Sequence, residues 1–108
     1  MPMMTGAQAL IAQLRAERVG HIFALPGVQI MNILDVLYEH RDAISLIQTR
    51  HEQATTYMAD GYAKVTGKVG VAMVVPGPGA LNAASGLGTA YASPSPVLMI
   101  SGQIPTAS

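Results

Sequence analysis

The chain has 108 residues, room for one small domain; half are hydrophobic and only 11% are charged. Six Lys/Arg balance six Asp/Glu, which gives no basis for a nucleic-acid surface or an anionic membrane partner. The absence of cysteine excludes disulfides and thiolate metal sites. The start, MPMMTGAQAL, has no basic segment ahead of a long apolar one, so no secretion signal is read and a cytoplasmic location is expected.

In chain order, TGAQALIAQLRAERVG opens with Thr5 and Gln8 at capping-box spacing. Its apolar positions Ala7, Leu10, Ile11 and Leu14 recur at helical intervals, and Gly20 is expected as the stop. HIFAL reads as a short buried strand ended by Pro26-Gly27. VQIMNILDVLYEH places Ile30, Ile33, Leu34 and Leu37 on one helical face. AISLIQ is a second strand. The helix after it carries Ala54, Tyr57, Met58, Gly61 and Val65 along one side. VGVAMVV, a near-continuous run rich in β-branched residues, fits a strand covered on both faces. GPGALN then turns into a small-residue helix through Tyr91, and PVLMIS forms a fourth strand. Strands alternating with helices across short Gly/Pro turns predict an α/β domain with a parallel sheet.

Every Asp, Glu, Lys and Arg lies at or before Lys68. Prolines 76, 78, 94, 96 and 105 break the uncharged remainder before the ~20 residues of a membrane span can accumulate. It reads instead as two buried strands and a helix with little solvent face, and so predicts a partner surface.

Ligands of open α/β sheets bind beyond the carboxyl ends of the strands. Three segments stand there, Pro26-Gly27, Thr49 to Glu52 and Gly77 to Asn82, and are expected to converge. Glu52 has two readings. Thr49-Arg50-His51-Glu52 fits T-x-x-E, with Thr49 as N-cap and Glu52 as its reciprocal partner, and the helix dipole favours a carboxylate there. Capping alone would leave Glu52 largely exposed; chemistry would bury it. Gly77-x-Gly79 is not a dinucleotide fingerprint, because Asn82 stands where the third glycine belongs and Pro78 removes a backbone donor. Gly61 to Lys68 misses a phosphate loop by one residue and lacks its Ser/Thr. What remains is a tight turn that a flat ligand can approach, or a plain connection. His21, His40 and His51 lack metal-ligand spacing and read as surface or packing residues. The glycines and alanines from Ala80 to Ala90 suit close approach of another helix, including one across a subunit interface.

HIFALPG and the run QTRHEQATTYMADGYAKVTGKVGVAMVVPGPGALNAASGLGTAYASPSPVLMISGQIP resemble the N-terminal pyrimidine-binding domain of thiamine-diphosphate-dependent enzymes. Within that family they are most like acetolactate synthase large subunits and related carboligases and 2-oxo acid decarboxylases. The resemblance runs from about Thr5 to Pro105 and rests on RHEQ, GYA, GPGALN and SGQIP in order. It implies an incomplete flavodoxin-like fold in which Glu52, the glutamate of RHE, contacts the pyrimidine ring nitrogen of thiamine diphosphate and favours its imino tautomer. Pro78 and Asn82 then line the aminopyrimidine side, while Pro26, Gly27 and Val28 lie on the loop facing the thiazolium, with Gly27 and Val28 towards substrate. Relatives acting on aromatic 2-oxo acids carry a polar residue near Val28 and a histidine near Met73, and neither is present. Glyoxylate carboligases replace the glutamate, so Glu52 argues against that group.

The same resemblance implies a small 2-oxo acid substrate and Mg²⁺ bound with the diphosphate by a domain that is absent here, and it leaves FAD open. The expected partners are further copies of the chain or the diphosphate-binding domain of a partner chain. Family members continue well beyond SGQIP, so the chain reads as a truncated domain, inactive alone. The alternative is a non-catalytic fragment that only associates with a full-length relative.

Overall fold

The computed structural model describes residues 3–104; Pro105 of SGQIP lies outside them. Helix α1 spans Gly6–Ala16, strand β1 His21–Ala24, a 3-10 turn Val28–Ile30, helix α2 Met31–Glu39 and strand β2 Ser45–Gln48. Helix α3 spans Glu52–Thr66, strand β3 Gly70–Val74, helix α4 Pro78–Ala92 and strand β4 Val97–Ser101. All strand pairs are parallel, in the order β2-β1-β3-β4. This is the flavodoxin-like order, whose switch point falls between β1 and β3.

Side chains alternate across the sheet and build two cores. Ile22, Ala24, Val71 and Met73 meet Ile11 and Leu14 of α1 and Leu37 of α2 on one face. Phe23 and Ala72 meet Ala59 of α3 on the other, flanked by Ile47, Tyr62, Val97 and Met99. Strand β3 is buried throughout, as its β-branched run requires. Met73, fully buried on the α1/α2 face, lies within the core.

Three expectations are corrected. The first concerns the end of α1, which closes before Gly20: Arg18, at φ 61°, takes the left-handed position. Val19 N–H donates to Leu14 O and Arg18 N–H to Arg15 O, both at 2.9 Å, a Schellman closure reinforced by Val19 and Leu14 in the same core.

Thr49, secondly, is not the N-cap of α3. Its N–H still donates to Ala24 O at 3.0 Å, which holds it in the sheet ladder, so the helix starts two residues later than the T-x-x-E spacing implies. His51 is the N-cap, its Nδ1 accepting from Gln53 N–H at 3.0 Å.

The apolar residues of α3 share one side, and that side faces outward. Tyr57, Met58 and Val65 are exposed, whereas Thr55, Thr56, Ala59, Asp60 and Ala63 are buried. Of the buried polar groups, Thr55 Oγ1 donates to Glu52 O and Thr56 Oγ1 to Ala83 O, both at 2.6 Å; Asp60 Oδ2 accepts from Lys64 Nζ, while its Oδ1 is buried without a partner. Finally, the uncharged segment is less hidden than its composition suggests. Helix α4 buries Gly79, Ala83, Gly86 and Ala90 and exposes Leu81 and Tyr91, and Leu98 of β4 is half exposed.

Candidate functional site

The register aligns the carboxyl ends of β1, β2 and β3. Ala24 stands beside Gln48 on one side and Met73 on the other, so β1, β2 and β3 release their loops at one level. Gly27 follows β1, Glu52 follows β2, and Val75 to Asn82 follow β3. The three meet around Val75. A Cβ at Gly27 would overlap Val75 Cγ1, and one at Gly79 would lie 2.7 Å from Val75 Cγ2 and 3.6 Å from both Cγ and Oε2 of Glu52. Beyond β4 the chain closes the same end: Gly102 N–H donates to Val74 O at 3.2 Å, and a Cβ there would press on Gln29 O at 2.7 Å.

The turn into α4 follows from its sequence. Gly77 has φ 72° and ψ −124°, a conformation that residues with a Cβ avoid. Pro78 takes the first helical position, where its missing N–H costs nothing. Two turns further in, Gly86 lets α4 lie against α3, since a Cβ there would overlap Thr56 Oγ1.

Glu52 is the first residue of α3 and is half-buried, between the two limits set by pure capping and full burial. Its Oε1 accepts a hydrogen bond from Asn82 Nδ2 at 3.2 Å, across the α3–α4 contact. With His51 as N-cap, the carboxylate is not tied back to the helix start. Gly27 is half-buried, and Pro26, Val28 and Pro78 are exposed. The structure thus joins Glu52 to Asn82, and Val75 links the Gly27 loop to the Gly79 turn beside Glu52. Sequence reasoning missed Val75, the side chain on which the segments pack; its place between the end of β3 and the Pro-Gly turn is the one local signal.

Next to the start of α3 lies a shallow cleft of about 300 Å³ lined by His51, Gln53, Ala54 and Tyr57. The Thr89 hydroxyl, then that of Ser85, draws the Tyr57 phenol below its ordinary pKa. A larger cavity of about 510 Å³, with Leu14, Arg18, Tyr62, Lys68 and Leu98 in its walls, opens at the amino ends of the strands, remote from Glu52. We assign the site to the crevice rather than to that cavity, because only the crevice joins strand ends, a carboxylate and a close-approach turn. Among the described residues no three His, Asp or Glu could together hold a metal ion, and no helix is long and apolar enough to cross a membrane.

The sequence matches the family described as thiamine pyrophosphate enzyme, N-terminal TPP binding domain, over residues 4–108. It is similar to the probable acetolactate synthase large subunit of Methanococcus aeolicus, with 47% identity over 103 residues, 95% of this chain and 17% of that protein. The acetolactate synthase of Arthrospira platensis is 49% identical over 104 residues, 94% of this chain and 18% of that protein. The acetolactate synthase isozyme 3 large subunit of Escherichia coli K12 is 42% identical over 106 residues, 98% of this chain and 18% of that protein. The chain thus spans less than a fifth of the length of these relatives.

Proposed function

Because the chain belongs to the thiamine pyrophosphate enzymes, as an N-terminal TPP-binding domain, we propose that it supplies the pyrimidine half of a thiamine-diphosphate site. The protein it serves would decarboxylate or condense small 2-oxo acids. The observation that carries the reading is the Glu52 carboxylate, held by Asn82 at 3.2 Å beyond the strand ends and next to the switch point.

The donor set fits one part of the cofactor. A carboxyl with one oxygen occupied and one left free suits a ring nitrogen, and the Gly77–Gly79 turn admits a flat ring. A diphosphate needs a cation and a cluster of donors, and the described residues hold no cluster of three His, Asp or Glu that could bind a metal ion. Mg²⁺ and the diphosphate therefore belong, in this reading, to another domain or a partner chain. When bound, thiamine diphosphate supplies a carbon nucleophile for the carbonyl of a 2-oxo acid.

The chain's own residues bind, orient and move a proton. Glu52 engages the ring nitrogen with the oxygen that Asn82 leaves free, and shares a proton there as general acid and base. Pro78 and Asn82 line the ring, and Pro26, Gly27 and Val28 face the thiazolium side, with Gly27 and Val28 nearest the substrate.

The test is a chimera in which this chain replaces the matching 106 residues of the Escherichia coli isozyme 3 large subunit. It should form acetolactate and lose that activity on Glu52→Gln. A folded chimera that binds thiamine diphosphate, with activity indifferent to Glu52→Gln, would remove the assignment.

A further inference from the structure

We propose that Asn82 is a positioning residue for Glu52: its side-chain amide fixes the plane of the carboxyl and selects which oxygen faces the crevice. This rests on the reading of Glu52 given above. The two residues come from helices that are locked together one turn away. Thr56, four residues after Glu52, donates from Oγ1 to Ala83 O at 2.6 Å, and Ala83 is the neighbour of Asn82. Gly86, four residues after Asn82, is where α4 rests on Thr56. Because that buried contact sets the separation of the helices, the Asn82 amide meets Glu52 Oε1 without either side chain choosing its own position. Oε2 lies on the Gly79 side, 3.6 Å from where a Cβ of residue 79 would stand, so the small residue keeps that oxygen uncovered.

The chemistry favours an amide over other donors. A lysine in this place would hold the carboxyl as an anion, and an aspartate would repel it. A neutral amide donates through Nδ2 to the carboxylate and can accept through Oδ1, after a flip, from the protonated acid. It fixes the geometry without fixing the charge, which a group that must both take and give a proton requires.

The first measurement is NMR on the labelled 108-residue chain. One Nδ2 proton of Asn82 should move when Glu52 is replaced by Gln. The two Glu52 Hγ resonances should be distinct in the parent and collapse in Asn82→Leu, with the fold retained because Asn82 is exposed. The second is hydrogen–deuterium exchange at the thiazolium carbon in the thiamine-diphosphate-loaded chimera. Asn82→Leu should slow it about 10- to 100-fold, the scale of a misplaced reacting group, and Asn82→Asp at least as much, with cofactor affinity changed less. If Glu52→Gln stops exchange while Asn82→Leu leaves both Glu52 order and exchange unchanged, the positioning role is overturned and the role of Glu52 stands. If Glu52→Gln itself leaves exchange unaltered, the functional reading fails first.

Discussion

Glu52 and Asn82 are thirty residues apart in sequence and joined by a 3.2 Å hydrogen bond, at the level where β1, β2 and β3 release their loops. The contact depends on the close approach of α3 and α4, which small residues on α4 make possible, so the first predictions concern that approach.

Gly86→Ala places a methyl group on Thr56 Oγ1, with Thr56 Cβ 2.6 Å and its carbonyl carbon 2.8 Å away. Overpacking of this kind costs about 1–3 kcal/mol. Gly88, two residues on in the same helix, has nothing within 4 Å of its Cβ position, and Gly88→Ala should stabilise by up to about 1 kcal/mol through helix propensity. Chemical denaturation of the two variants should give opposite signs. Equal effects would mean that Gly86 does not set the helix separation.

Asp60 provides a pH-dependent contribution. Lys64 Nζ contacts its Oδ2 at 2.7 Å and also donates to Ser93 Oγ at 3.0 Å, tying α3 to the loop before β4. The Lys64 ammonium, helped by the Ser95 hydroxyl, holds the Asp60 carboxyl below its ordinary pKa. A carboxyl whose pKa is lower folded than unfolded stabilises the fold above its unfolded pKa, and that contribution is lost as pH falls through the folded value. Lys64→Met should therefore lower the melting temperature most near neutral pH, and the gap to the parent should close on acidification below the carboxylate range. A gap constant with pH would place the effect in packing.

The outward apolar stripe of α3 and the exposed Leu81 and Tyr91 of α4 support the proposal that this layer is covered in an assembly. Ala84 is exposed in the chain, so Ala84→Arg should change the stability of the 108 residues by less than about 0.5 kcal/mol. In the chimera the same substitution would bury an unpaired charge, at a cost of about 3–5 kcal/mol, and sedimentation should show a smaller species. An unchanged oligomer would move the interface elsewhere.

Isothermal calorimetry of the 108 residues with thiamine diphosphate should show weak binding without dependence on Mg²⁺, since the described residues hold no cluster of three His, Asp or Glu that could bind a metal ion. Tight, Mg²⁺-dependent binding would require a phosphate and metal site in this chain.

The sequence is informative about this fold where one residue pattern has one physical outcome. VGVAMVV is too continuously apolar to be anything but a covered strand, and β3 is buried along its length. Strand–helix alternation gave the parallel sheet for the same reason. Local spacing misled at the start of α3. T-x-x-E describes a helix start only if Thr49 has left the sheet, and its N–H has not. The stripe Tyr57, Met58 and Val65 has the period of a buried face, yet Thr55, Thr56 and Asp60 occupy the inside, where Thr55 bonds to Glu52 O, Thr56 to Ala83 O of α4 and Asp60 to Lys64, pairings that leave no mark in the apolar pattern of a helix. The site divides in the same way. Strand-end positions and family resemblance pointed to Glu52 and Asn82 separately, but their hydrogen bond depends on a helix–helix distance that no local pattern encodes.

The central claim is that Glu52 handles the proton on the pyrimidine side of the cofactor. Hydrogen–deuterium exchange at the thiazolium carbon, followed in the thiamine-diphosphate-loaded chimera, reads that step without substrate. Glu52→Gln should slow it by about 10²- to 10⁴-fold, the range for a positioned proton-transfer group, with the thermal unfolding of the protein little changed. Exchange at the parent rate in a folded, cofactor-loaded Glu52→Gln variant would contradict the account and leave Glu52 as part of the helix start alone.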